Sequence, residues 1–377
     1  MSAHDERLAR VHLSAALEPG EPRVLEAVRV LGARAALERL RGGDSRLDPD
    51  GRRGRRLESV DPVAVIDRAV ACGIDFVAPG DDAWPTRLDD LAGVVRDRRG
   101  CVPVGIWVRG RGGVGALRRS VAVVGSRAAS AYGTSVAGEW AAALAQSAVT
   151  VVSGAAYGID AAAHRGALAV DLPSVAVLAC GLDQVYPRGN AALIERIGEH
   201  GLLLSEAAPG TVVNRGRFLS RNRLIAAISA GTLVVEAGAR SGALSTARWA
   251  EQLMRPLAAV PGPVTSAMSL GPHALVREMR AVLASRPEDV IELVGEMGVE
   301  ASSLPPAPSV PTDGLSPAAA LVHDALPVRG PVTVAELMAA TGLGVSAVVR
   351  ACGELAERAL LAGEGDVWTR RVPRSTR

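Results

Sequence analysis

The feature that most constrains the fold is a repeat of short, valine-rich runs between Ser120 and Pro263, each ending in a turn of Gly and Ser. The runs lie near 120–124, 149–152, 174–178, 202–205, 231–236 and 256–260, and an amphipathic segment follows each of them. Continuous apolar runs are typical of strands buried on both faces. Strands that alternate with helices indicate a parallel sheet. The sequence therefore predicts an α/β fold with helices on both faces of an open, parallel sheet.

The length of 377 residues exceeds what one hydrophobic core usually supports, so we expect more than one domain. Helical periodicity at the N-terminus is broken at Pro19–Gly20, and a further helix is predicted from Asp61–Pro62. A Pro- and Ser-rich stretch precedes a C-terminal helix, turn and helix. The predicted parts are a small helical domain of the SAM or helix-hairpin-helix kind (1–78), the sheet domain (79–296), a linker (297–315) and a winged helix-turn-helix domain (316–372).

The net charge of the whole chain is small, but positive charge is concentrated in one segment. The formal net charge is only +2, and all 42 basic residues are arginine, which fits either a coding bias or recognition of phosphates. From Ala207 to Val235 the chain has four arginines and no acidic residue. Aromatic residues make up only 3%, which limits extensive base stacking. We therefore expect any polyanion to bind at one particular site.

Several classes of protein are not favoured by the sequence. Cysteines 72, 101, 180 and 352 are far apart and predict reduced thiols with no metal site. The N-terminus has no signal-peptide pattern and no run of 18 apolar residues occurs, which predicts a cytoplasmic protein without a membrane anchor. The run GRGGVG at Gly110–Gly115 matches a dinucleotide motif, but too few residues separate it from the next strand for a helix. We expect no cofactor.

The turns that end the predicted strands favour an anion site. Gly125, Ser126 and Arg127 follow the first strand, and a glycine there lets a ligand approach the backbone while the arginine supplies a cation. An ordinary tight turn also explains Gly125 but not Arg127. The other candidate positions at strand ends and helix starts are Ser153, Gly154, Gly158, Ser241 and Gly242.

The segment RFLSRNRLIAAIS carries the strongest signal for a ligand. Arg221 and Arg223 flank Asn222 at the expected start of an apolar helix, and Phe218 offers a ring for stacking. Cations at a helix N-terminus oppose the helix dipole unless an anion compensates them. The segment therefore predicts a phosphate site.

Two titratable groups have alternative interpretations. His164 follows Asp160 by one helical turn, which permits a catalytic dyad, although a hydrogen-bonded structural histidine is the favoured interpretation. Glu236 is a potential base of a nucleotide hydrolase, or a carboxylate that orients a loop.

Six blocks of sequence together resemble the DNA-processing protein A, or DprA/Smf, family. They are VAVVGSRAASAYG, VVSGAAYGIDAAAHRGAL, VLACGLDQVYPRGN, LLLSEAAPG, FLSRNRLIAAISAGTLVVEAGARSGALSTA and VPGPV, within about residues 80–290. The resemblance implies an extended Rossmann-like domain in a cytosolic homodimer that binds single-stranded DNA and loads the RecA recombinase in natural transformation, without catalysis. The dimer and recombinase contacts would lie near the end of the sheet domain.

The resemblance also implies which positions contact DNA. These are the turn of Gly125, Ser126 and Arg127, the second turn with Ser153 and Gly154, and the block of Arg221, Asn222 and Arg223. The chain departs from the family at Tyr157, where relatives often have Lys or Arg before Gly158. That departure removes one phosphate contact, and we expect Tyr157 to stack on a base instead.

Two other functions compete with this interpretation. Rossmann-like enzymes that process nucleoside phosphates have a PGGxGTxxE pattern, whereas this chain has GARSGALSTA. A transcription regulator that reads duplex DNA is disfavoured because the predicted recognition helix has Arg350 and Arg358 against Glu354 and Glu357. A protein contact by that helix is an equally good interpretation.

Overall fold

The computed structural model describes residues 3–96, 98–295 and 312–371. It divides into two units, Met1–Ser302 and Ser303–Arg377, and each is considered by itself.

The helices of the first unit are α1 (Ala3–Ala16), α2 (Pro22–Leu31), α3 (Ala33–Arg41), α4 (Arg52–Glu58), α5 (Pro62–Ala71), α6 (Ala131–Gln146), α7 (Ile159–Ala169), α8 (Ala191–His200), α9 (Arg215–Ile228), α10 (Ala243–Gln252), α11 (Leu270–Arg277) and α12 (Pro287–Val294). Short 3₁₀ helices lie at Thr86–Leu91, Val114–Arg118, Arg188–Asn190 and Ala267–Ser269.

The strands of the first unit are β1 (Asp75–Val77), β2 (Val95–Arg96), β3 (Arg99–Gly100), β4 (Ile106–Gly110), β5 (Ser120–Val124), β6 (Thr150–Ser153), β7 (Ser174–Leu178), β8 (Leu202–Ser205), β9 (Gly231–Val234), β10 (Leu257–Ala259) and β11 (Val282–Leu283). Strands β5 to β10 confirm the six runs expected from the sequence.

Nine strands form one sheet in the order β1-β4-β8-β7-β6-β5-β9-β10-β11. The pairs from β8 to β11 are all parallel. Strand β4 is antiparallel to both β8 and β1, so the sheet is mixed at one edge. The prediction of a parallel α/β sheet is therefore confirmed for the centre but not for this edge.

The alternation of side chains along β5 explains why both faces of the sheet are covered. Val121 and Val123 point into one apolar cluster, which includes residues of α6 and α7, while Ala122 and Val124 point into another, which includes residues of α9 and α10. A strand with apolar residues at every position buries both sets only between two layers of helices.

The order of the strands reverses beside β5. The chain runs outward from β5 through β6, β7 and β8 on one side and through β9, β10 and β11 on the other. The crevice between β5 and β9, at their carboxyl ends, is therefore the switch point at which open α/β sheets bind ligands.

The N-terminal helices belong to the same unit as the sheet. The indole Nε1 of Trp107 on β4 donates to Ser14 Oγ on α1 at 2.9 Å. Strand β1, which precedes the predicted boundary at residue 78, pairs with β4 and so belongs to the sheet. The expected break at Pro19–Gly20 is present, and Gly32, with φ of +85°, adds a second break between α2 and α3. Pro62 begins α5 as predicted, with Asp61 as its cap.

The second unit has the helices α13 (Pro317–Ala325), α14 (Val334–Thr341) and α15 (Val345–Glu357), and the strands β12 (Pro331–Thr333), β13 (Leu361–Glu364) and β14 (Val367–Arg370). The strands form an antiparallel sheet in the order β12-β14-β13. Most of the predicted linker, 297–315, lies outside the described residues, and so does the predicted end at 372.

In the described part of the chain, no single helix is long and apolar enough to span a bilayer, and only α14 and α15, which meet at a bend of 108°, reach that length and composition together. The same residues contain no cluster of three side chains suited to a metal ion. Cys101, Cys180 and Cys352 are buried and Cys72 is exposed, and all four are free thiols.

Candidate functional site

An open cleft of about 540 Å³ lies at the switch point of the sheet. It is bounded by the turn after β5, by one side of α9 and by the loop that leads into α10. Eight of the residues predicted from the sequence line it: Gly125, Ser126, Arg127, Phe218, Arg221, Asn222, Ser241 and Gly242. The tertiary structure thus brings together three segments that are far apart in the sequence.

Packing explains the glycine of the first turn. A Cβ on Gly125 would lie 2.5 Å from Ile159 Cγ1, so the turn has room for a glycine only. The Ser126 amide donates to Glu236 O at 2.7 Å, and its hydroxyl accepts from the Ala128 amide at 3.2 Å. Arg127 is exposed at the end of this rigid turn. The turn therefore serves to present the Arg127 guanidinium at the mouth of the cleft.

Aromatic side chains form a second, smaller pocket beside the cleft. Its volume is about 20 Å³, and Arg127 and Phe218 belong to both. The Arg127 guanidinium lies 4.5 Å from the centroid of the Phe218 ring, and the ring of Tyr186 lies 5.6 Å from it on centroids. Tyr186 is a member that the sequence analysis did not select. The sequence feature that could have identified Tyr186 is the VYP run after the third predicted strand.

Tyr157 lines this small pocket with Gly154, and neither residue lines the main cleft. Tyr157 is 48% exposed as a residue, while its hydroxyl accepts from the Gly189 amide at 3.3 Å. Tyr157 is therefore held at its hydroxyl and is partly accessible to a ligand.

Helix α9 begins earlier than the sequence predicted. Asn214 caps it, with its side-chain oxygen accepting from the Arg217 amide at 2.9 Å, and the first helical residue is Arg215. Arg221 and Arg223 lie inside the helix, so no free backbone donors accompany them. The prediction of a helix start at Arg221 is wrong. The conflict between cations and the helix dipole applies instead to Arg215 and Arg217, and the carboxylate of Glu18 compensates Arg217 at 2.9 Å.

Arg221 reaches the floor of the cleft as a buried cation. It is 6% exposed, and its Nη1 donates to Val177 O at 3.0 Å. The nearby Asp160 carboxylate accepts from the amides of Gly154 and Ala156 at 3.2 and 3.4 Å. Burial lowers the pKa of Arg221 and raises the pKa of Asp160, and the charge of each opposes the shift of the other. Asp160 thus fixes the second turn, and Arg221 joins α9 to β7.

Arg223 does not belong to the cleft, which corrects its assignment as a DNA contact. Its side chain is fully buried, and Nη2 lies 2.6 Å from Glu206 Oε1. Successive residues of a helix are rotated by about 100°, so Arg223 points away from the side that carries Arg221. The Glu206 carboxylate neutralises the Arg223 guanidinium, which the sequence pattern had assigned to a phosphate ligand.

Three residues of the second turn have structural roles. Ser153 is fully buried and donates to Val123 O at 2.6 Å. Gly154 leaves space for Arg221, whose Nη1 would lie 1.4 Å from a Cβ at that position. Gly158 has φ of +75°, and a Cβ there would lie 2.2 Å from Ser126 O. None of the three presents a side chain to the cleft.

Two exposed arginines at the cleft were missed as site residues. Arg240 stands directly before Ser241 and Gly242, and Arg215 begins α9. With Arg127 they form what we call the cleft arginines. Among the described residues, none of the three forms an ion pair with a carboxylate. The acid-free stretch around Arg215 was the available signal, whereas Arg240 had none beyond its loop.

The titratable groups near the cleft are engaged within the protein. His164 Nδ1 lies 2.7 Å from Ser174 Oγ, and burial lowers the pKa of His164 to about 3. The structural interpretation of His164 is therefore the better one. The Glu236 carboxylate accepts from the Ser130 amide and hydroxyl at 2.9 and 2.5 Å, which fixes the start of α6. Of the two interpretations of Glu236, the carboxylate that orients a loop therefore fits better than the base of a nucleotide hydrolase.

Comparisons with known proteins agree with this architecture. Residues 75–295 match the sequence model of the family described as DNA recombination-mediator protein A. A DNA processing protein DprA of Mycobacterium tuberculosis is 42% identical over 339 residues, which is 89% of this chain and 87% of that protein.

Two solved structures are similar to this chain. The DNA processing protein A of Streptococcus pneumoniae superposes with a TM-score of 0.63 at 29% identity, over 77% of this chain and 98% of that one. The DNA processing protein A of Helicobacter pylori, which was solved to describe its binding of single-stranded DNA, superposes with a TM-score of 0.50 at 27% identity, over 58% of this chain and 94% of that one. The family model and the long relative together show that this chain belongs to the DNA recombination-mediator protein A family, also named DprA/Smf.

Proposed function

We propose that this protein binds single-stranded DNA in the cleft, without sequence preference, and acts as a recombination mediator. The observation that carries the proposal is that the cleft arginines, Arg127, Arg215 and Arg240, line one cleft with no carboxylate partner among the described residues. The relative from Helicobacter pylori binds single-stranded DNA, which supports the same ligand. Cations without internal partners at a switch point are suited to a phosphate chain.

The lining of the cleft favours phosphates over base edges. Asn222 is the one carboxamide among the lining residues, and its Nδ2 already donates to Gly242 O at 3.2 Å. The rings of Tyr157, Tyr186 and Phe218 beside the cleft accept any base by stacking. Binding by phosphate contacts and stacking is tolerant of sequence.

We propose a binding role rather than turnover. The Glu236 carboxylate accepts two hydrogen bonds from Ser130, and Asp160 accepts two from backbone amides. A general base needs a carboxylate that is free to take a proton from a substrate. No observation favours the nucleoside-phosphate enzyme as a second function, and release of free base from nucleoside monophosphates would contradict our proposal.

We propose that the protein acts in the cytoplasm as a homodimer, and that it contacts RecA during natural transformation. The best surface for a second copy lies beside the outermost strand, β11, where Met254 and Met279 are 91% and 93% exposed. Both residues have positive φ, of 51° and 54°, a conformation that a glycine adopts at lower cost. Large apolar side chains at strained, exposed positions fit a protein contact. A Met279→Asp variant that sediments as a monomer would support this surface.

The second unit has the order of elements of a winged helix, and we propose that it contacts protein rather than duplex DNA. Arg358, which directly follows α15, donates to Asp313 O and Gly314 O, while Val345 and Val349 on α15 are half exposed. Of the two arginines of the predicted recognition helix, only Arg350 is then available to contact the groove of duplex DNA. A single positive charge is too little for a domain that binds duplex DNA. Unchanged duplex affinity in Arg350→Glu is the expected result.

The decisive experiment measures binding of labelled oligo(dT) and of a duplex of equal length at several salt concentrations. We expect tight binding of the single strand with a slope of log affinity against log salt of about −2, which corresponds to three phosphate contacts. The triple variant Arg127→Ala, Arg215→Ala, Arg240→Ala should lose most of this slope. Equal affinity for both DNAs, or an unchanged slope in a folded triple variant, would refute the cleft as the site.

A further inference from the structure

We propose that the buried ion pair of Arg223 and Glu206 is a positioning pair, which fixes the rotation of α9 so that Arg221 and Asn222 face the cleft. The proposal gives Arg223 a role other than the phosphate contact expected from its sequence. Its significance for DNA binding rests on the proposed function, whereas its effect on α9 is measurable without DNA.

The pair ties α9 to three other parts of the fold. Arg223 Nη2 donates to Glu206 Oε1 at 2.6 Å, and Arg223 Nε donates to Gly100 O at 3.3 Å. Glu206, which directly follows β8, also accepts from the Gly20 amide between α1 and α2 at 3.2 Å. One side of α9 is thereby fixed to the end of β8, to β3 and to the segment between the N-terminal helices α1 and α2.

The energetics of the pair suggest a role in specificity rather than in stability. Arg223 is 0% exposed and Glu206 is 7% exposed. Arg223 Nη1 and Glu206 Oε2 are both buried without a hydrogen-bond partner among the described residues. Burying two charges with unsatisfied atoms costs several kcal/mol, and an apolar pair of similar volume often gives equal stability. A costly pair of this kind does define which way a helix faces, because each charge has one acceptable position.

The rotation matters because Arg221 and Arg223 lie on opposite sides of α9. Two helical positions correspond to about 200° of rotation, so holding Arg223 towards Glu206 directs Arg221 towards Asp160 and Val177. A slip by one residue would turn the helix by about 100° and would remove both cations from their acceptors. Phe218 and Asn222, on the cleft side, would move with it.

The test separates position from stability with a double variant, Arg223→Met with Glu206→Gln. The variant removes both charges, retains volume, and keeps an oxygen that accepts from the Gly20 amide. The matched control is Arg109→Met with Glu195→Gln, which neutralises an Arg and Glu pair 3.1 Å apart between β4 and α8, away from α9.

We expect the melting temperature of the double variant to stay within about 5 °C of the parent. Its affinity for oligo(dT) should fall about tenfold, the weight of one charge-assisted hydrogen bond, with a shallower salt slope. The control should match the parent in both. A folded double variant with the parent's affinity and slope would overturn the proposal.

Hydrogen exchange without DNA provides an independent measurement. Amides of residues 217–222 should exchange faster in the double variant than in the parent and the control, and equal exchange would overturn the positioning role.

If the parent itself binds no single-stranded DNA, the proposed function fails, while hydrogen exchange still decides the role of the pair. If the double variant does not fold, Arg223→Lys replaces it, because an ammonium cannot reproduce the fork to Glu206 and Gly100. Weaker binding of oligo(dT) by Arg223→Lys supports the proposal, whereas an affinity and a hydrogen-exchange rate equal to those of the parent contradict it.

Discussion

The guanidinium of Arg127 lies over the ring of Phe218, 4.5 Å from its centroid, although the two residues come from different segments of the sheet domain. The contact joins the rim of the cleft to the aromatic pocket beside it. A cation over a ring leaves its outward N–H groups available to a phosphate, while the ring remains able to stack on a base. The two side chains therefore form one unit for a nucleotide.

Replacing Arg127 and Phe218 separately should give different signatures. Arg127→Ala should weaken oligo(dT) binding and reduce the salt slope by about 0.7, because one phosphate contact is lost. Phe218→Ala should weaken binding by about 1–3 kcal/mol with little change of slope, because a stacked base is lost. Fluorescence anisotropy over a range of salt measures both. Identical slopes in the two variants would contradict this division of roles.

Arg215 and Arg240, which the sequence analysis missed, should contribute to the slope like Arg127. Each Ala substitution is expected to reduce it by about 0.7. Arg165, an exposed arginine on α7 outside the cleft lining, provides the matched control. If Arg165→Ala changes the salt dependence as much as Arg240→Ala does, the phosphates do not follow the cleft.

A lysine at Tyr157 should add a cation beside the aromatic pocket. Tyr157→Lys is expected to steepen the salt slope by about 0.7 and to weaken stacking. Tyr157→Phe keeps the ring but loses the oxygen that accepts from the Gly189 amide, so it should bind almost as the parent does. A Tyr157→Lys variant with an unchanged slope would show that no phosphate passes this position.

A methyl group at Gly154 should displace Arg221. The added Cβ would lie 1.4 Å from Arg221 Nη1, so the guanidinium must leave Val177 O. We expect Gly154→Ala to lower the free energy of unfolding by about 1–3 kcal/mol and to weaken oligo(dT) binding. Gly115, with no atom within 4 Å of an added Cβ, is the control. Denaturant titration that places both variants at the parent's stability would contradict the packing argument.

His164 should make the protein less stable in acid. Burial lowers its pKa to about 3, so between that value and its ordinary 6.5 the unfolded chain binds a proton that the folded chain does not. The free energy of unfolding therefore falls as the pH falls through this range. From pH 6.5 to about 5 the loss approaches ~2 kcal/mol. Urea titrations should show a smaller loss for His164→Gln, and an equal loss would place the titration elsewhere.

The outcomes at α9 show how far local sequence reasoning reaches. Phe218, Arg221 and Asn222 line the cleft together because they lie on one side of α9, and not because α9 begins at Arg221 as the sequence pattern predicted. The pattern assigned Arg223 to the same site, since two arginines around an asparagine look equivalent in a sequence. The partner that distinguishes them, Glu206, lies in another block, and only folding brings it within 2.6 Å of Arg223.

The amino-acid sequence by itself determined the six parallel strands, the turns at their ends and the family, because periodicity, glycine and serine act over a few residues. The tertiary structure decided which cations are free. Burial beside Glu206 removed Arg223 from the site, while Arg215 reached it from the start of α9 and Arg240 from the loop before α10. The reason is physical: the pattern of a strand is local, whereas the availability of a charge depends on every residue that packs against it.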